Sequence, residues 1–166
     1  MTAEPDTDRR PLAVFDIDGV LADVRHRLHH IGTRPKDWAS FFASADADPL
    51  LSEGYERVRE LAATHDIVFL TGRPQSNRKL TEAWLDQHGL PRGRLFMRPS
   101  RDFRPARVFK AETLRKLSAD REIAVIIDDD PQVIDELRRG GYPAELATWV
   151  PYADALSAAQ ERDGRT

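Results

Sequence analysis

Two carboxylates directly after a short apolar run are the residues whose spacing points most clearly to chemistry. Asp16 and Asp18 stand two positions apart, and Gly19 follows them. Residues i and i+2 of a strand point the same way, so the two anions lie side by side and repel each other. A divalent cation or a phosphoryl group between them relieves that repulsion. The glycine lets the chain turn sharply as it leaves the sheet.

A second apolar run, residues 67–70, ends in Thr71, Gly72 and Arg73. Gly72 lets the backbone approach a ligand closely, and the planar fork of Arg73 suits bidentate binding of a phosphate. A helix predicted to begin at Pro74 would aim its free N–H groups at the same phosphate. In isolation, however, the motif fits an ordinary Thr-Gly turn better than a phosphate site.

A third apolar run, residues 123–127, ends in Asp128 and Asp129. An acidic pair after an apolar strand is typical of a hard-cation site that uses few protein ligands. Asp130 precedes Pro131 and is predicted to cap the following helix instead. The sequence therefore predicts a metal site at the end of this strand.

Strands and helices alternate along the chain, which predicts an α/β fold with a parallel, doubly wound sheet. Ligands of such sheets bind at the carboxyl ends of the strands, where all three polar motifs lie. Strands are predicted at 12–16, 67–70, 94–97, 123–128 and 145–149. Helices are predicted at 52–65, 74–89, 106–119 and 131–140, with a short one from residue 152.

Residues 22–50 interrupt the alternation and are predicted to form a small helical flap over the site. Three histidines in this segment lack the spacing of a zinc motif, and the chain has no cysteine to support one. Three aromatic residues at helical spacing favour core packing over a base-stacking platform. The histidines are His26, His29 and His30, and the aromatic residues are Trp38, Phe41 and Phe42.

The length of 166 residues predicts one domain, which we place at 11–160 after a disordered leader at 1–10. Without cysteine, a disulfide framework is excluded, and no apolar run approaches the length of a membrane span. The formal net charge of −3 shows that the whole chain is not a polycation. A cytoplasmic protein is expected from these properties.

The order Asp-x-Asp, Thr, Lys, Asp-Asp resembles that of the haloacid dehalogenase (HAD) superfamily of phosphotransferases, over roughly residues 12–150. The resemblance implies a HAD-like, Rossmannoid three-layer sandwich with a small helical cap. It also implies that Asp16 is the nucleophile and that Asp18 is the general acid–base. Thr71 would hold a phosphoryl oxygen, and Lys110 would screen the transferring phosphoryl group.

The same resemblance implies Mg²⁺ as the cofactor. Asp129 matches the metal-binding carboxylate of the superfamily, and Asp128 stands beside it. The nucleophile Asp16 and the backbone carbonyl of Asp18 complete the implied metal site.

Within the superfamily, the chain is most similar to the 3′-phosphatase domain of phage-type polynucleotide kinases. Arg27 and Arg73 match two catalytic arginines of that domain and are expected here to bind the substrate, together with Gly72. The chain contains no Gly-Lys-Ser/Thr phosphate loop, so the kinase half of such enzymes is absent from it.

The approach to Lys110 also matches that domain, with Arg98 and then Asp102-x-Arg104. One position departs from it, because the essential acidic residue four positions before the lysine is Ala106 here. The match with this domain therefore implies phosphatase chemistry more firmly than it implies a particular substrate.

The function implied is a Mg²⁺-dependent phosphomonoesterase acting through an aspartyl-phosphate on 3′-phosphate ends of nucleic acid or nucleotides. The alternative is a 5′(3′)-deoxyribonucleotidase or other small-molecule phosphatase, whose opening motif also resembles Asp-x-Asp-Gly-Val-Leu-Ala-Asp. The expected partner of this chain is a phosphorylated substrate and not a membrane. Whether it also has a separate kinase or repair partner is left open by the sequence.

Two non-enzymatic alternatives are a receiver-like signalling module and a catalytically silent binding relative. In a receiver the lysine follows the threonine on the last strand, whereas Lys110 precedes the final acidic cluster. The intact Asp16, Asp18, Lys110 and Asp129 argue against a silent relative.

Overall fold

The computed structural model describes residues 9–166, so most of the predicted leader at 1–10 lies outside the described residues. Five parallel strands form one sheet in the order β3-β2-β1-β4-β5, which confirms the predicted α/β class. The strands are β1 (Leu12–Phe15), β2 (Asp66–Pro74), β3 (Arg94–Arg98), β4 (Ile123–Asp128) and β5 (Ala144–Leu146).

Helices cover both faces of the sheet and make three layers. The β1 strand is buried along its whole length, so its alternate residues enter different cores. Val14 lies in a core on one face of the sheet, and Phe15 lies in a core on the other face. The helices are α1 (Trp38–Ala43), α2 (Ser52–Ala62), α3 (Arg78–Gln87), α4 (Ala106–Ser118), α5 (Pro131–Arg139) and α6 (Asp154–Ser157).

The central position of β1 brings the three polar motifs to one edge of the sheet. Phe15 pairs with Phe69 of β2 on one side and with Ile127 of β4 on the other. The backbone N–H of Asp16 then donates to the carbonyl of Ile127 at 2.9 Å. The residues that follow these three positions therefore meet above the same point, as predicted for a parallel sheet.

The flap, residues 22–50, leaves the sheet directly after β1 and is helical. It contains a 3₁₀ turn at Arg25–His30, then α1, then a second 3₁₀ turn at Ser44–Ala47. An antiparallel bridge between Ala22 and Leu50 joins its two ends. The insertion therefore leaves and re-enters the domain at almost the same place.

The start of the helix predicted at 74–89 and the end of the fifth predicted strand differ from the structure. β2 continues through Pro74, and the chain then forms a 3₁₀ turn at Gln75–Asn77 before α3 begins at Arg78. Pro74 has a ψ of 151°, which is extended rather than helical. The fifth strand ends at Leu146 instead of residue 149, since Trp149 folds back to donate its indole N–H to the carbonyl of Val20 at 3.1 Å.

After α6, a π-helical turn at Ala158–Arg162 packs against the flap, where Ala159 joins a small core with Ile31 and Phe41. The chain then continues to Thr166, which is buried. Among residues 9–166, no helix combines the length and apolar character needed to cross a membrane.

Candidate active site

Three carboxylates meet at the ends of β1 and β4. Ligand oxygens of Asp16, Asp128 and Asp129 all lie within 4.8 Å of one another, and all three residues are buried. Within residues 9–166, this is the one group of acidic or histidine side chains with the geometry to hold a metal ion. Each carboxylate follows a buried strand, so the sheet itself fixes the spacing.

Lys110 of α4 is the counter-charge of this group. Its Nζ lies 3.1 Å from Oδ2 of Asp16 and donates to Oδ2 of Asp128 at 2.5 Å. Burial alone would lower the pKa of Lys110, but Asp128 and Asp16 raise it above its ordinary value. The lysine is therefore protonated throughout the physiological range. We refer to Asp16, Asp128, Asp129 and Lys110 as the acidic half of the site.

One lysine does not neutralise three buried carboxylates. Burial raises the pKa of Asp16 to about 8, and it raises that of Asp129 well above the ordinary range. Oδ1 of Asp129 is buried without a hydrogen-bond partner. An unpaired buried oxygen among three oxygen donors fits a hard divalent cation such as Mg²⁺.

Gly19 is required by both the turn and the metal group. Its φ is +78°, and a Cβ at this position would lie 2.0 Å from Oδ2 of Asp129. Any side chain here would displace that carboxylate. The glycine predicted to turn the chain therefore also makes room for Asp129.

Asp18 points away from the acidic half and towards two buried arginines. Nη2 of Arg73 donates to Oδ1 of Asp18 at 2.6 Å, and Nη2 of Arg27 donates to the same oxygen at 3.1 Å. Burial alone would raise the pKa of Asp18, but Arg73 and Arg27 lower it to about 2. Its carboxylate is therefore ionised and lies outside the predicted metal group. A metal contact through its backbone carbonyl stays a prediction.

Asp48 is a functional candidate that the sequence analysis missed. It accepts from Nε of Arg27 at 2.8 Å and from Nη2 of Arg73 at 2.8 Å, and its side chain is buried. His26 places Nε2 2.7 Å from the same carboxylate. Nothing in the sequence distinguishes Asp48 from other acidic residues of the flap. We refer to Asp18, Asp48, Arg27 and Arg73 as the arginine half of the site.

Thr71 and Gly72 lie on β2, directly before Arg73. Thr71 is fully buried, and its Oγ1 accepts from the backbone N–H of Arg73 at 3.2 Å. α3 begins at Arg78, after a 3₁₀ turn at Gln75–Asn77, and an approach of its N–H groups to a phosphate beside Thr71 stays a prediction. The polar groups at this position come from extended backbone and from Arg73 itself.

Arg98 organises the loop that follows β3. Its Nε donates to the carbonyl of Gly72 at 3.0 Å, and its Nη1 donates to that of Arg104 at 2.6 Å. Burial lowers the pKa of Arg98 to about 10, so it keeps its charge at neutral pH. Farther along, Ala106 is fully buried at the start of α4, so this helix presents no carboxylate at that position.

Phe41 and the histidines of the flap pack within the flap or beside the arginine half. Phe41 is fully buried, and the guanidinium of Arg27 lies 4.2 Å from its ring centroid. The rings of His29 and His30 lie 4.0 Å apart between centroids, but among residues 9–166 the three histidines form no group with metal-binding geometry. Asp130 caps α5 by accepting from a backbone N–H, as predicted.

Residues 11–145 match the family model described as the polynucleotide kinase PNKP phosphatase domain. No curated protein sequence matches the chain significantly. A chain of the Pnkp1/Rnl/Hen1 RNA repair complex superposes with a TM-score of 0.71 and 26% identity, over 92% of this chain and 46% of that chain. A chain of a second structure, of a Pnkp1/Rnl/Hen1 complex, superposes with a TM-score of 0.73 and 24% identity, over 90% of this chain and 50% of that chain.

This chain thus spans about half the length of those repair proteins. A HAD-like family hydrolase from Streptococcus pneumoniae has the same fold over its full length, with a TM-score of 0.61, 16% identity and coverage of 91% and 90%. With the acidic group at the strand ends and a family match over most of its length, the chain belongs to the HAD-type phosphatase domain family of polynucleotide kinases.

Proposed function

We propose that the chain is a Mg²⁺-dependent phosphomonoesterase that removes phosphate from 3′ ends of nucleic acid through an aspartyl-phosphate. The observation that carries this proposal is the separation of two neighbouring carboxylates. Asp16 lies against Lys110 among metal-binding groups, whereas Asp18 lies against two arginines. A nucleophile and an acid–base need such different surroundings.

In the first half-reaction, a carboxylate oxygen of Asp16 attacks the phosphorus, and the bond to the ester oxygen breaks. Asp18 gives a proton to that leaving oxygen. A substrate phosphate that draws Arg73 and Arg27 towards itself raises the pKa of Asp18, which enables this step. In the second half-reaction, Asp18 takes a proton from water, the water oxygen attacks the phosphorus, and the bond to Asp16 breaks.

Asp16, Asp128 and Asp129 would hold the metal ion, with the backbone carbonyl of Asp18. When bound, Mg²⁺ supplies positive charge that offsets the charge of the phosphoryl group and lowers the pKa of the nearby carboxyl groups. Lys110 supplies a second fixed charge on the same side. Thr71 and the backbone of Gly72 would contact the phosphoryl oxygens.

Nucleic-acid ends are the proposed substrate because the family is defined by polynucleotide kinase phosphatase domains. The small flap supports this choice, since its two short helical turns and α1 leave less cover than a large cap domain. Two similar chains occur in RNA repair complexes with Rnl and Hen1, which makes RNA ends and repair partners of that kind part of the proposal. A cytoplasmic location is part of it as well.

The test is phosphate release from a matched substrate panel. A 3′-phosphorylated oligonucleotide, its 5′-phosphorylated counterpart, 3′- and 5′-mononucleotides and glycerol 2-phosphate are compared with Mg²⁺ and with excess chelator. We expect activity only with metal, and the highest kcat/KM for the 3′-phosphorylated oligonucleotide. Full turnover in chelator contradicts the metal mechanism, and a preference for mononucleotides moves the substrate to the deoxyribonucleotidase-like alternative.

A further inference from the structure

Residues 163–166 lie across the entrance to the arginine half, and we refer to them as the 163–166 segment. Thr166 is buried, and its Oγ1 donates to Oδ2 of Asp18 at 2.9 Å. Its backbone carbon lies 2.1 Å from the position that a Cβ on Gly72 would take. The segment therefore fills the space where the proposed substrate phosphate meets Asp18 and Gly72.

Arg165, the residue before Thr166, places its planar guanidinium in a cleft formed by two aromatic rings. The guanidinium of Arg165 lies 4.6 Å from the ring centroid of Phe103 and 5.4 Å from that of Trp38. Trp38 belongs to the flap, and Phe103 belongs to the loop after β3, where half of its surface is exposed. The two rings thus come from two separate segments of the chain, and both contact the guanidinium of Arg165.

The order of groups along the segment matches that of a terminal nucleotide. A planar group lies on aromatic rings at Arg165, and the next residue places polar atoms beside Asp18. Bases stack on aromatic rings without regard to sequence.

Charge and space beside the cleft suit the same ligand. A cavity of about 640 Å³ adjoins Trp38 and is lined by Arg34 and Lys36. Lys36 forms an ion pair with Asp163 of the segment. When the segment leaves, Lys36 loses that carboxylate and becomes available to a nucleic-acid phosphate.

We propose that Trp38 and Phe103 bind the base of the nucleotide that carries the scissile phosphate, and that Arg165 holds this cleft in the free enzyme. The base and the guanidinium compete for the same rings, so the segment must leave before the substrate binds. This inference rests on the proposed function, because it assumes a nucleotide substrate.

The experiment compares a nucleoside 3′-monophosphate with glycerol 2-phosphate, which has no base. The readout is nucleotide preference, the ratio of the two kcat/KM values measured with the full chain. Phe103→Ala is expected to lower this ratio about tenfold, the size expected for losing one stacked base, mainly through KM for the nucleotide. Trp38→Ala is expected to do the same, and Trp38→Phe to restore most of the ratio.

Tyr55→Ala is the matched control. Tyr55 also carries an arginine over its ring, with Arg59 at 5.7 Å, but it lies on α2 outside the cleft. Its removal should leave the ratio unchanged. If both cleft variants keep the wild-type ratio, or if Tyr55→Ala lowers it equally, the assignment of the base to Trp38 and Phe103 is overturned.

Arg165→Ala tests the competition. Removing the guanidinium should lower KM for the nucleotide about threefold and leave KM for glycerol 2-phosphate less affected. An increased KM for the nucleotide contradicts competition for the cleft. A wild-type enzyme with no nucleotide preference contradicts the proposed function, whereas a preference that survives both cleft substitutions contradicts only this inference.

Discussion

Asp16 and Asp18 stand two residues apart, yet they lie in opposite electrostatic surroundings. In the acidic half, burial raises the pKa of Asp16 to about 8, and one lysine serves three carboxylates. In the arginine half, two arginines serve Asp18 and Asp48, and the pKa of Asp18 falls to about 2. The acidic half has fewer positive than negative charges, whereas the arginine half is neutralised by the protein itself.

This difference shows how each half is completed. The acidic half needs an external cation before its carboxylates can all be ionised at neutral pH. The arginine half is already paired, so a substrate phosphate must compete with Asp18 and Asp48 for the guanidinium groups. Metal should therefore control the first half, whereas substrate binding should rearrange the second.

The largest expected effect comes from Asp16→Asn, which removes the nucleophilic charge and keeps the side-chain size. We expect kcat to fall on the order of 10⁴-fold, because the covalent route disappears. Phosphate release under saturating Mg²⁺ measures this loss. A variant that keeps a tenth of wild-type activity would show that Asp16 is not the nucleophile.

Asp18→Asn should separate the two halves by their chemistry. The variant can still take phosphate from a substrate but deprotonates water poorly, so an aspartyl-phosphate on Asp16 should accumulate. Intact-mass measurement after mixing with substrate detects the added phosphoryl group. A normal steady-state rate argues against the acid–base role.

Asp129→Asn should act through metal affinity alone. We expect the Mg²⁺ concentration for half-maximal activity to rise by at least about 10–100-fold, the range seen even when an indirect metal partner is lost. Excess Mg²⁺ should restore much of the rate.

In contrast, Arg73→Lys should lose on the order of 10²-fold in kcat/KM at any metal concentration, since a point charge cannot replace two bonds from a planar fork.

Asp48→Asn should weaken the arginine half without touching the metal. Losing one charged hydrogen-bond partner of Arg27 and Arg73 is expected to lower kcat/KM about tenfold. Asp46→Asn, at an exposed position on the same turn, is the matched control. An unchanged Mg²⁺ requirement in Asp48→Asn would support the division of the site into an acidic half and an arginine half. A raised Mg²⁺ requirement would contradict that division.

The smallest expected effect is on stability in the absence of metal. The folded pKa of Asp16 lies above its unfolded value, so its contribution is present below about pH 4 and is lost as pH rises through about 8. Each kcal/mol lost lowers Tm by about 2–4 °C for a chain of this size. Melting curves should therefore show Mg²⁺ stabilising the protein more at pH 8 than at pH 5.

The acidic half is predictable from sequence because each of its aspartates directly follows a buried strand, and parallel strands end together. The arginine half is less predictable from sequence, because Asp48 contacts Arg73 only after the flap folds back on β2. The helix predicted at 74–89 is present, but it begins with a 3₁₀ turn after an extended Pro74, because proline suits extended backbone as well as a first helical turn. Thr166 and Asp18 are far apart in the sequence, and no local sequence pattern predicts their contact.

The bridge between Ala22 and Leu50 has a consequence for how such enzymes diversify. Since the ends of the flap are joined, an insertion of another length can replace it at a small cost in loop closure and without moving β1. Asp16 and Asp18 precede the exchange point, but Arg27 and Asp48 lie beyond it. A lineage that exchanged its flap would therefore inherit the proposed nucleophile and would have to acquire anew part of the charge proposed to bind phosphate.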